Sequence, residues 1–201
     1  MLKKMKTNTN HNHSKRADVY PSMYKICDNF NFYINELKPL IEQNGTQKSE
    51  GIHGINTHTN AVVFRGIDYA LSLSQDPKPV IFACAFHDMA RVNDSADYEH
   101  GKNAVPMAMK IMKQFPNLFD NQTRDNIYLA IMTHTNDRPV VATNYIAACL
   151  WDADRTRMSW KYGFKPEFFN TERAKYVAQH WKKYIEYQRK CFPHLTWSKE
   201  Y

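Results

Sequence analysis

Apolar residues recur every three or four positions along most of the chain after residue 19, a spacing typical of amphipathic α-helices. No segment convincingly indicates a strand. The run Val80–Phe86 fits a buried strand or a buried helix, and its helical neighbours favour a helix. The predicted helices cover 20–43, 57–76, 80–86, 100–115, a segment from Asp120 or Thr123 to about 136, 143–154 and 166–190. We therefore predict an all-α, single-domain bundle of about seven helices.

The composition is that of one globular domain, since 43% of the 201 residues are hydrophobic and 23% are charged. No apolar run approaches the roughly 18 residues that cross a bilayer. In a secretory signal a hydrophobic segment follows the positively charged N-terminal residues, and this sequence has no such segment after its N-terminal lysines. The four cysteines are widely spaced and include no CxxC pair, which favours free thiols in a reducing compartment. We expect a cytoplasmic protein without membrane contact.

The net charge of +7 is unevenly distributed along the chain. Residues 1–16 carry five Lys/Arg and no acid, residues 17–154 carry a net charge of −5, and residues 155–201 carry +7. We predict a polar, disordered tail over 1–19 before a domain over 20–201. Aromatic residues alternate with lysines in the basic segment 166–190, which fits a nucleic-acid surface or, more simply, a helix that packs its aromatics on the core. Nucleic acid is therefore a less favoured partner than a small anion.

Five of the nine histidines fall at predicted helix ends or on apolar helix faces, namely His53, His58, His87, His100 and His134. Asp88 follows His87 directly after the most apolar stretch of the chain. An ionised carboxylate there costs several kcal/mol unless a cation or hydrogen bonds offset it. Asp154 ends another apolar face. Several such groups on separate helices are explained more economically by one metal site than by unrelated polar helix ends.

In their order and local context these residues resemble the HD superfamily of metal-dependent phosphohydrolases, over about residues 50–160. The matching segments are HTNAV from His58, FHDMAR around His87-Asp88 and DADR around Asp154. HGKNA from His100 and the pair His134-Thr135 resemble the members that hold two metals. The resemblance implies an HD-type helical bundle. It also implies a first metal on His58, His87, Asp88 and Asp154, and a second on Asp88, His100 and His134.

Mixed imidazole and carboxylate ligands suit one or two divalent ions such as Mn, Fe, Co, Ni or Zn. The resemblance further implies hydrolysis of a phosphoester or phosphoanhydride in a small, nucleotide-like anion by a metal-bound hydroxide. The resemblance also implies a phosphate-binding role for Arg91, because the family often places a Lys or Arg three residues after the Asp of the His-Asp pair. We expect the same role for Arg155, which follows Asp154 directly, since guanidinium donors match pairs of phosphate oxygens.

Two alternatives remain within the ligand set. His53 competes with His58, which the position of Val62 favours, and His53 then becomes an outer-shell or proton-transfer residue, or an ordinary loop histidine. Asp152 competes with Asp154, which the Ala-Asp-Arg context favours. The chain also departs from many relatives after Arg155, where it has Thr156-Arg157 in place of Leu-Asp.

Two other functions fit the same residues. The ligand pattern also resembles the di-iron oxygenases of the superfamily, which act on a small polyol or phosphonate. A non-catalytic module that binds a nucleotide or nucleic acid through the basic C-terminal helix is the third hypothesis. Metal content, oxygen consumption and phosphate release separate the three.

Overall fold

The computed structural model describes residues 19–135, 139–195 and 197, so the predicted tail lies outside the described residues except for Val19. Regular secondary structure within these ranges is helical, without a strand, and the predicted all-α class is confirmed. The α-helices are α1 (Met23–Phe32), α2 (Lys38–Asn44), α3 (Asn60–Ser72), α4 (Pro77–Phe86), α5 (His100–Met112), α6 (Asn121–Thr133), α7 (Tyr145–Tyr162), α8 (Glu172–Gln179) and α9 (Trp181–Cys191). Two π-helical segments, Tyr33–Leu37 and Ile55–Thr59, join α1 to α2 and lead into α3, and a 3-10 turn covers Pro166–Phe168.

Helix α3 forms the centre of the molecule and packs against α4 and α7. Every residue from Asn60 to Ala70 is buried. A Cβ atom on Gly66 would lie only 2.6 Å from Sγ of Cys84, so the missing side chain lets α3 and α4 approach closely. Buried on all sides, α4 accounts for the uninterrupted apolar run that the sequence leaves ambiguous.

The other helices surround this centre. Helix α6 packs against α4, α5 and α7, while α1 lies on α3, α8 on α7 and α9 on α8. Helix α9 buries Tyr184 and exposes Lys182 and Lys183, as the simpler reading of the basic segment predicts. Among the described residues, none of the helices combines the length and the apolar character needed to cross a bilayer.

Two predicted helix boundaries are wrong. Helix α7 does not end near Asp154 but continues to Tyr162 and stops at Gly163, whose φ is 91°. The predicted continuous helix over 166–190 is a 3-10 turn followed by α8 and α9, which are separated at His180. Thr171 begins α8, because its side chain accepts the N–H of Ala174 at 3.2 Å.

Candidate metal centre

The end of α4, the end of α6, the start of α5 and the middle of α7 meet beside the π segment that precedes α3. Each of these five elements carries one or two of the predicted ligands, which are His58, His87, Asp88, His100, His134 and Asp154. All are buried except Asp154, whose side chain is 27% exposed. The structure thus brings together residues that are up to 96 positions apart in the sequence.

The two carboxylate oxygens of Asp88 face two different pairs of histidines. Oδ2 lies 3.5 Å from Nε2 of His58 and 3.5 Å from Nε2 of His87. Oδ1 lies 2.8 Å from Nε2 of His100 and 3.6 Å from Nε2 of His134. Asp154 joins the first pair, with its Oδ1 3.1 Å from Nε2 of His58. Asp88 therefore stands between two groups of donors, as a carboxylate shared by two ions would.

Backbone carbonyls determine which ring nitrogen carries the proton in three of the histidines. In His87 and in His134, Nδ1 donates at 2.7 Å to the carbonyl three residues earlier, and His100 makes the same contact. A carbonyl only accepts hydrogen bonds, so in the neutral ring Nε2 holds a lone pair. These three Nε2 atoms face the cluster. Metal-binding histidines are commonly oriented by such a second hydrogen bond.

The donor set fits divalent transition-metal ions. The Nε2 atoms of His58 and His87 are 3.2 Å apart, and those of His100 and His134 are 2.8 Å apart. Lone pairs this close repel one another unless a proton or a cation lies between them. Oδ2 of Asp88 is also buried without a hydrogen-bond partner. Imidazole nitrogen and carboxylate oxygen together suit such ions, so both groups could hold one.

The ionisation of the cluster favours a bound cation. Burial raises the pKa of Asp88, but His87 and the other imidazoles lower it more, so the pKa lies well below its usual range. For Asp154 burial likewise raises the pKa, and the hydrogen bond from His58 brings it well below normal. Burial lowers the pKa of His87 to about 3 and also lowers that of His58. Burial lowers the pKa of His134 as well, but the neighbouring Asp88 outweighs this effect and raises it.

Gly101 lets α5 begin directly against the end of α6. A Cβ atom at this position would lie 2.6 Å from the carbonyl oxygen of Ile131 and 2.9 Å from Nδ1 of His134. The His-Gly pair of the sequence therefore has a steric cause. Any side chain at residue 101 would push against one of the predicted ligands.

The other predicted site residues lie around the cluster. Nε of Arg91 is 3.4 Å from Oδ1 of Asp88, and its NH1 donates to the carbonyl of Ser95 at 2.9 Å. Arg155 follows Asp154 on α7, and its guanidinium lies 5.7 Å from the centroid of the Trp151 ring. Both arginines are mostly buried. Their roles toward phosphate stay predictions.

Of the two competing aspartates, only Asp154 lies in the cluster. The carboxylate of Asp152 instead accepts the backbone N–H groups of Asn170 and Thr171 at 2.8 and 2.7 Å. The two competing histidines, by contrast, both reach Asp88, because Nδ1 of His53 lies 3.3 Å from its Oδ2. His180 and His194 are exposed, as surface histidines are expected to be.

A cavity of about 470 Å³ opens above the cluster. Its floor includes Asp88 and five of its neighbours, namely His53, His58, His100, His134 and Asp154. Its walls carry four cationic and four aromatic side chains, which are Arg91, Arg155, Arg157, Lys165, Tyr98, Tyr162, Phe168 and Phe169.

Sequence reasoning identified the floor of this cavity but missed most of its walls. Tyr98 belongs to a polar loop, and Phe168 and Phe169 fall in a segment predicted to be helical. Arg157 was the one wall residue that the sequence could have indicated. It replaces the Asp of many relatives, and it closely follows Asp154, a predicted ligand, and Arg155, a predicted phosphate-binding residue.

Comparisons with known proteins yield one structural match. No protein-family model and no curated protein matches the sequence. The structure is similar to the crystal structure of a predicted HD superfamily hydrolase from an uncultured Thermotogales bacterium, with a TM-score of 0.57. The match has 21% sequence identity and covers 79% of this chain and 90% of the other. A likeness at this identity concerns the fold. This chain therefore shares its fold with that predicted HD superfamily hydrolase, in agreement with the predicted resemblance, and the buried His/Asp cluster is consistent with it.

Proposed function

We propose that this chain is a metal-dependent hydrolase that cleaves a phosphoester or phosphoanhydride bond in a small, nucleotide-like substrate. One observation carries the proposal. The cluster of imidazole and carboxylate groups forms the floor of a cavity whose walls bear several cations. The predicted HD superfamily hydrolase with the same fold supports it at the level of reaction class.

The charges of the cavity favour an anionic substrate. Arg91, Arg155, Arg157 and Lys165 all line it. Guanidinium groups match pairs of phosphate oxygens, so three arginines beside the His/Asp cluster suit a phosphorylated molecule better than a neutral polyol. The arginines of the lining therefore favour phosphate hydrolysis over oxidation of a polyol, and they fit a phosphonate, the alternative substrate of an oxygenase, equally well.

The aromatic walls favour a substrate with an apolar or ring-shaped part. Phe168, whose carbonyl accepts NH1 of Arg155 at 3.4 Å, and Phe169 line the cavity. Tyr98 and Tyr162 line the same cavity with 68% and 62% exposure. Exposed aromatic rings are ready to stack against a planar group. The volume of about 470 Å³ lies within the range of roughly 300–1,000 Å³ that is usual for small-molecule sites. A nucleotide supplies both the ring and the phosphate.

The two donor groups of the cluster would hold the metal ions. His58, His87, Asp88 and Asp154 would hold one ion, and Asp88, His100 and His134 a second. When bound, divalent ions supply a water molecule of lowered pKa and neutralise charge on the attacked phosphoryl group.

Arg91 and Arg155 bind and orient the substrate in this scheme. The contact of Arg91 with Asp88 and Ser95 holds its guanidinium at the edge of the cluster, where it can meet a phosphoryl oxygen. Arg155 follows Asp154 directly on α7, and the helix fixes the position of its backbone.

Elemental analysis of chelator-free protein, paired with a phosphate-release screen, tests the proposal. The screen covers nucleotides and simple phosphoesters with added Mn²⁺, Co²⁺ or Mg²⁺. Bound transition metal and phosphate release from at least one substrate are expected. Two irons with oxygen consumption and no phosphate release would instead identify an oxygenase. Salt-sensitive nucleic-acid binding without turnover would identify a binding module.

A further inference from the structure

His53 has a buried ring nitrogen for which the protein supplies no hydrogen-bond partner. Its Nδ1 atom is 3.3 Å from Oδ2 of Asp88, and both atoms are buried without a hydrogen bond. Leaving a buried polar group unsatisfied costs about 1–3 kcal/mol, so two such atoms facing each other require an explanation. An ion that accepts lone pairs from both of them provides one.

Hydrogen bonds hold the backbone of His53 on both sides, one to the exposed Asp94 and one from the buried Gln47. The N–H of His53 donates to Oδ1 of Asp94 at 3.0 Å, and its carbonyl accepts Nε2 of Gln47 at 2.6 Å. The same Gln47 amide also donates to Oγ1 of Thr59 at 2.8 Å, which links the loop to the helical segment that carries His58. An ordinary loop histidine does not need this degree of positioning.

Two glycines let the loop fold tightly enough to bring His53 over Asp88. Gly51 has a φ of 118°, and a Cβ atom there would lie 3.0 Å from Oδ2 of Asp94. A Cβ atom on Gly54 would lie 2.6 Å from the backbone of Glu50. Larger residues at either position would displace the loop.

The ring of His53 also lies next to a predicted ligand. The centroids of the His53 and His58 rings are 5.2 Å apart, with an angle of 70° between their planes. Ligand atoms of His53, His58 and Asp88 all lie within 4.8 Å of one another, the same limit that His58, His87 and Asp154 satisfy. His53 thus meets the geometric condition that the family-type ligands meet.

We propose that His53 binds the first metal ion directly through Nδ1, as an additional ligand beside His58 and Asp88. This inference rests on the proposed metal-dependent function. It replaces the proton-transfer or outer-shell role that the sequence suggests for His53. Because His53 lines the cavity, its ring would occupy a coordination position on the side where substrate enters. The consequence is tighter metal retention and fewer exchangeable positions on that ion.

The test compares cobalt binding by wild type, His53→Ala and the matched control His180→Ala, whose histidine is exposed. Affinity is measured by competition with a chelating dye, and the coordination of bound Co²⁺ by its visible absorption spectrum. We expect His53→Ala to lower the affinity for one of the bound ions at least tenfold and to change the visible absorption spectrum of bound Co²⁺. Added imidazole is expected to restore much of the wild-type spectrum. His180→Ala should match wild type in both measurements.

A second variant, Asp94→Ala, guards against the case in which His53→Ala fails to fold. This variant removes the hydrogen bond that holds the loop but keeps the imidazole ring of His53. We therefore expect a smaller loss of affinity for the same ion than in His53→Ala. Unchanged affinity and spectrum in His53→Ala would overturn the inference even if the wild type binds cobalt and releases phosphate. If the wild type itself binds no cobalt, both the inference and the proposed function are wrong.

Discussion

Asp152 and Asp154 lie two positions apart on α7, and their carboxylates bind on different sides of the helix. Asp154 reaches Nε2 of His58 at 3.1 Å, whereas Asp152 accepts the N–H groups of Asn170 and Thr171. Two positions correspond to a rotation of roughly 200° about an α-helix. One carboxylate is therefore available to a metal, and the other joins α7 to the start of α8.

This relationship predicts opposite phenotypes for two similar substitutions. Asp152→Ala leaves the part-buried N–H of Asn170 and the buried N–H of Thr171 without an acceptor, and we expect it to lower the free energy of unfolding by about 2 kcal/mol. Its metal content should remain that of wild type. Asp154→Ala should lose metal, and it should lower the free energy of unfolding of the metal-free protein less than Asp152→Ala does. Urea unfolding with a chelator and elemental analysis without one measure both effects. Loss of metal from Asp152→Ala alone would reverse the assignment.

Asp88→Asn tests whether one carboxylate serves both donor groups. The amide keeps the size of the side chain but removes the charge that faces four imidazoles. We expect both ions and all phosphate release to be lost, with an unchanged helical circular dichroism spectrum. Asp125→Asn, an exposed change on α6, is the matched control. Wild-type turnover in Asp88→Asn would remove the site assignment.

Gly101→Ala is expected to affect only the second donor group. The added methyl group would lie 2.9 Å from Nδ1 of His134 and must displace that ring or the start of α5. We predict weaker binding of one ion, by about tenfold, while the ion near His58 is retained. Titration calorimetry resolves the two ions, and Lys102→Ala on the exposed face of α5 serves as the control. Equal weakening of both ions would contradict the division into two groups.

The metal-free protein should lose stability in acid because of His87. Its pKa is about 3 in the folded state, against an ordinary value of 6.5. Between these values the unfolded chain binds a proton that the folded chain does not, so the free energy of unfolding falls as pH falls. The slope for this residue reaches about 1.4 kcal/mol per pH unit. The contribution is fully present above pH 6.5.

Asp88 and Asp154, whose pKa values are lowered in the folded protein, also reduce the free energy of unfolding as pH falls, but only near and below their ordinary pKa of 3.8. His134 has a raised pKa and therefore increases the free energy of unfolding as pH falls. Comparing wild type with His87→Gln isolates the effect of His87. Chemical unfolding between pH 4 and 7 should show a shallower pH dependence in the variant, and an equal dependence would contradict the assignment.

Lys165 and Lys161 offer a test of the cavity wall. Lys165 lines the cavity, whereas Lys161 lies outside its lining with its amine 5.2 Å from the centroid of the Tyr162 ring. Once a substrate is found, Lys165→Ala is expected to raise KM several-fold with little change in kcat, because it removes uniform binding energy. Lys161→Ala should leave both constants near wild type. A similar rise in KM for both variants would indicate a general charge effect.

The sequence predicted the elements of the site better than their lengths. Helix ends at His87 and His134 follow from apolar stripes that stop at polar residues. The extension of α7 beyond Asp154 was missed because residues 155–162 carry no apolar stripe. Thr156 and Ser159 are instead buried through hydrogen bonds to backbone carbonyls at 2.6 and 2.7 Å, and Gly163 is the signal that marks the true end.

Long-range hydrogen bonds explain the other missed features. The break before α8 depends on the side chain of Asp152, which lies 18 residues away from Asn170. The sequence leaves His53 and His58 as alternatives for one ligand position, whereas the structure places both beside Asp88. No helical periodicity shows that a loop anchored by Gln47 and Asp94 folds back over the cluster.

The π segment before α3 makes the spacing of His53 and His58 a matter of chain length. Its turn is closed by the N–H of Thr59, which donates at 3.2 Å to the carbonyl of Gly54 five residues earlier. His58 lies within this segment, whereas His53 lies on the loop directly before it, so the segment connects the two histidines over a fixed length of chain. Homologous chains should therefore keep both Gly54 and the number of residues between these two histidines, because an inserted or deleted residue would move one ring away from the other.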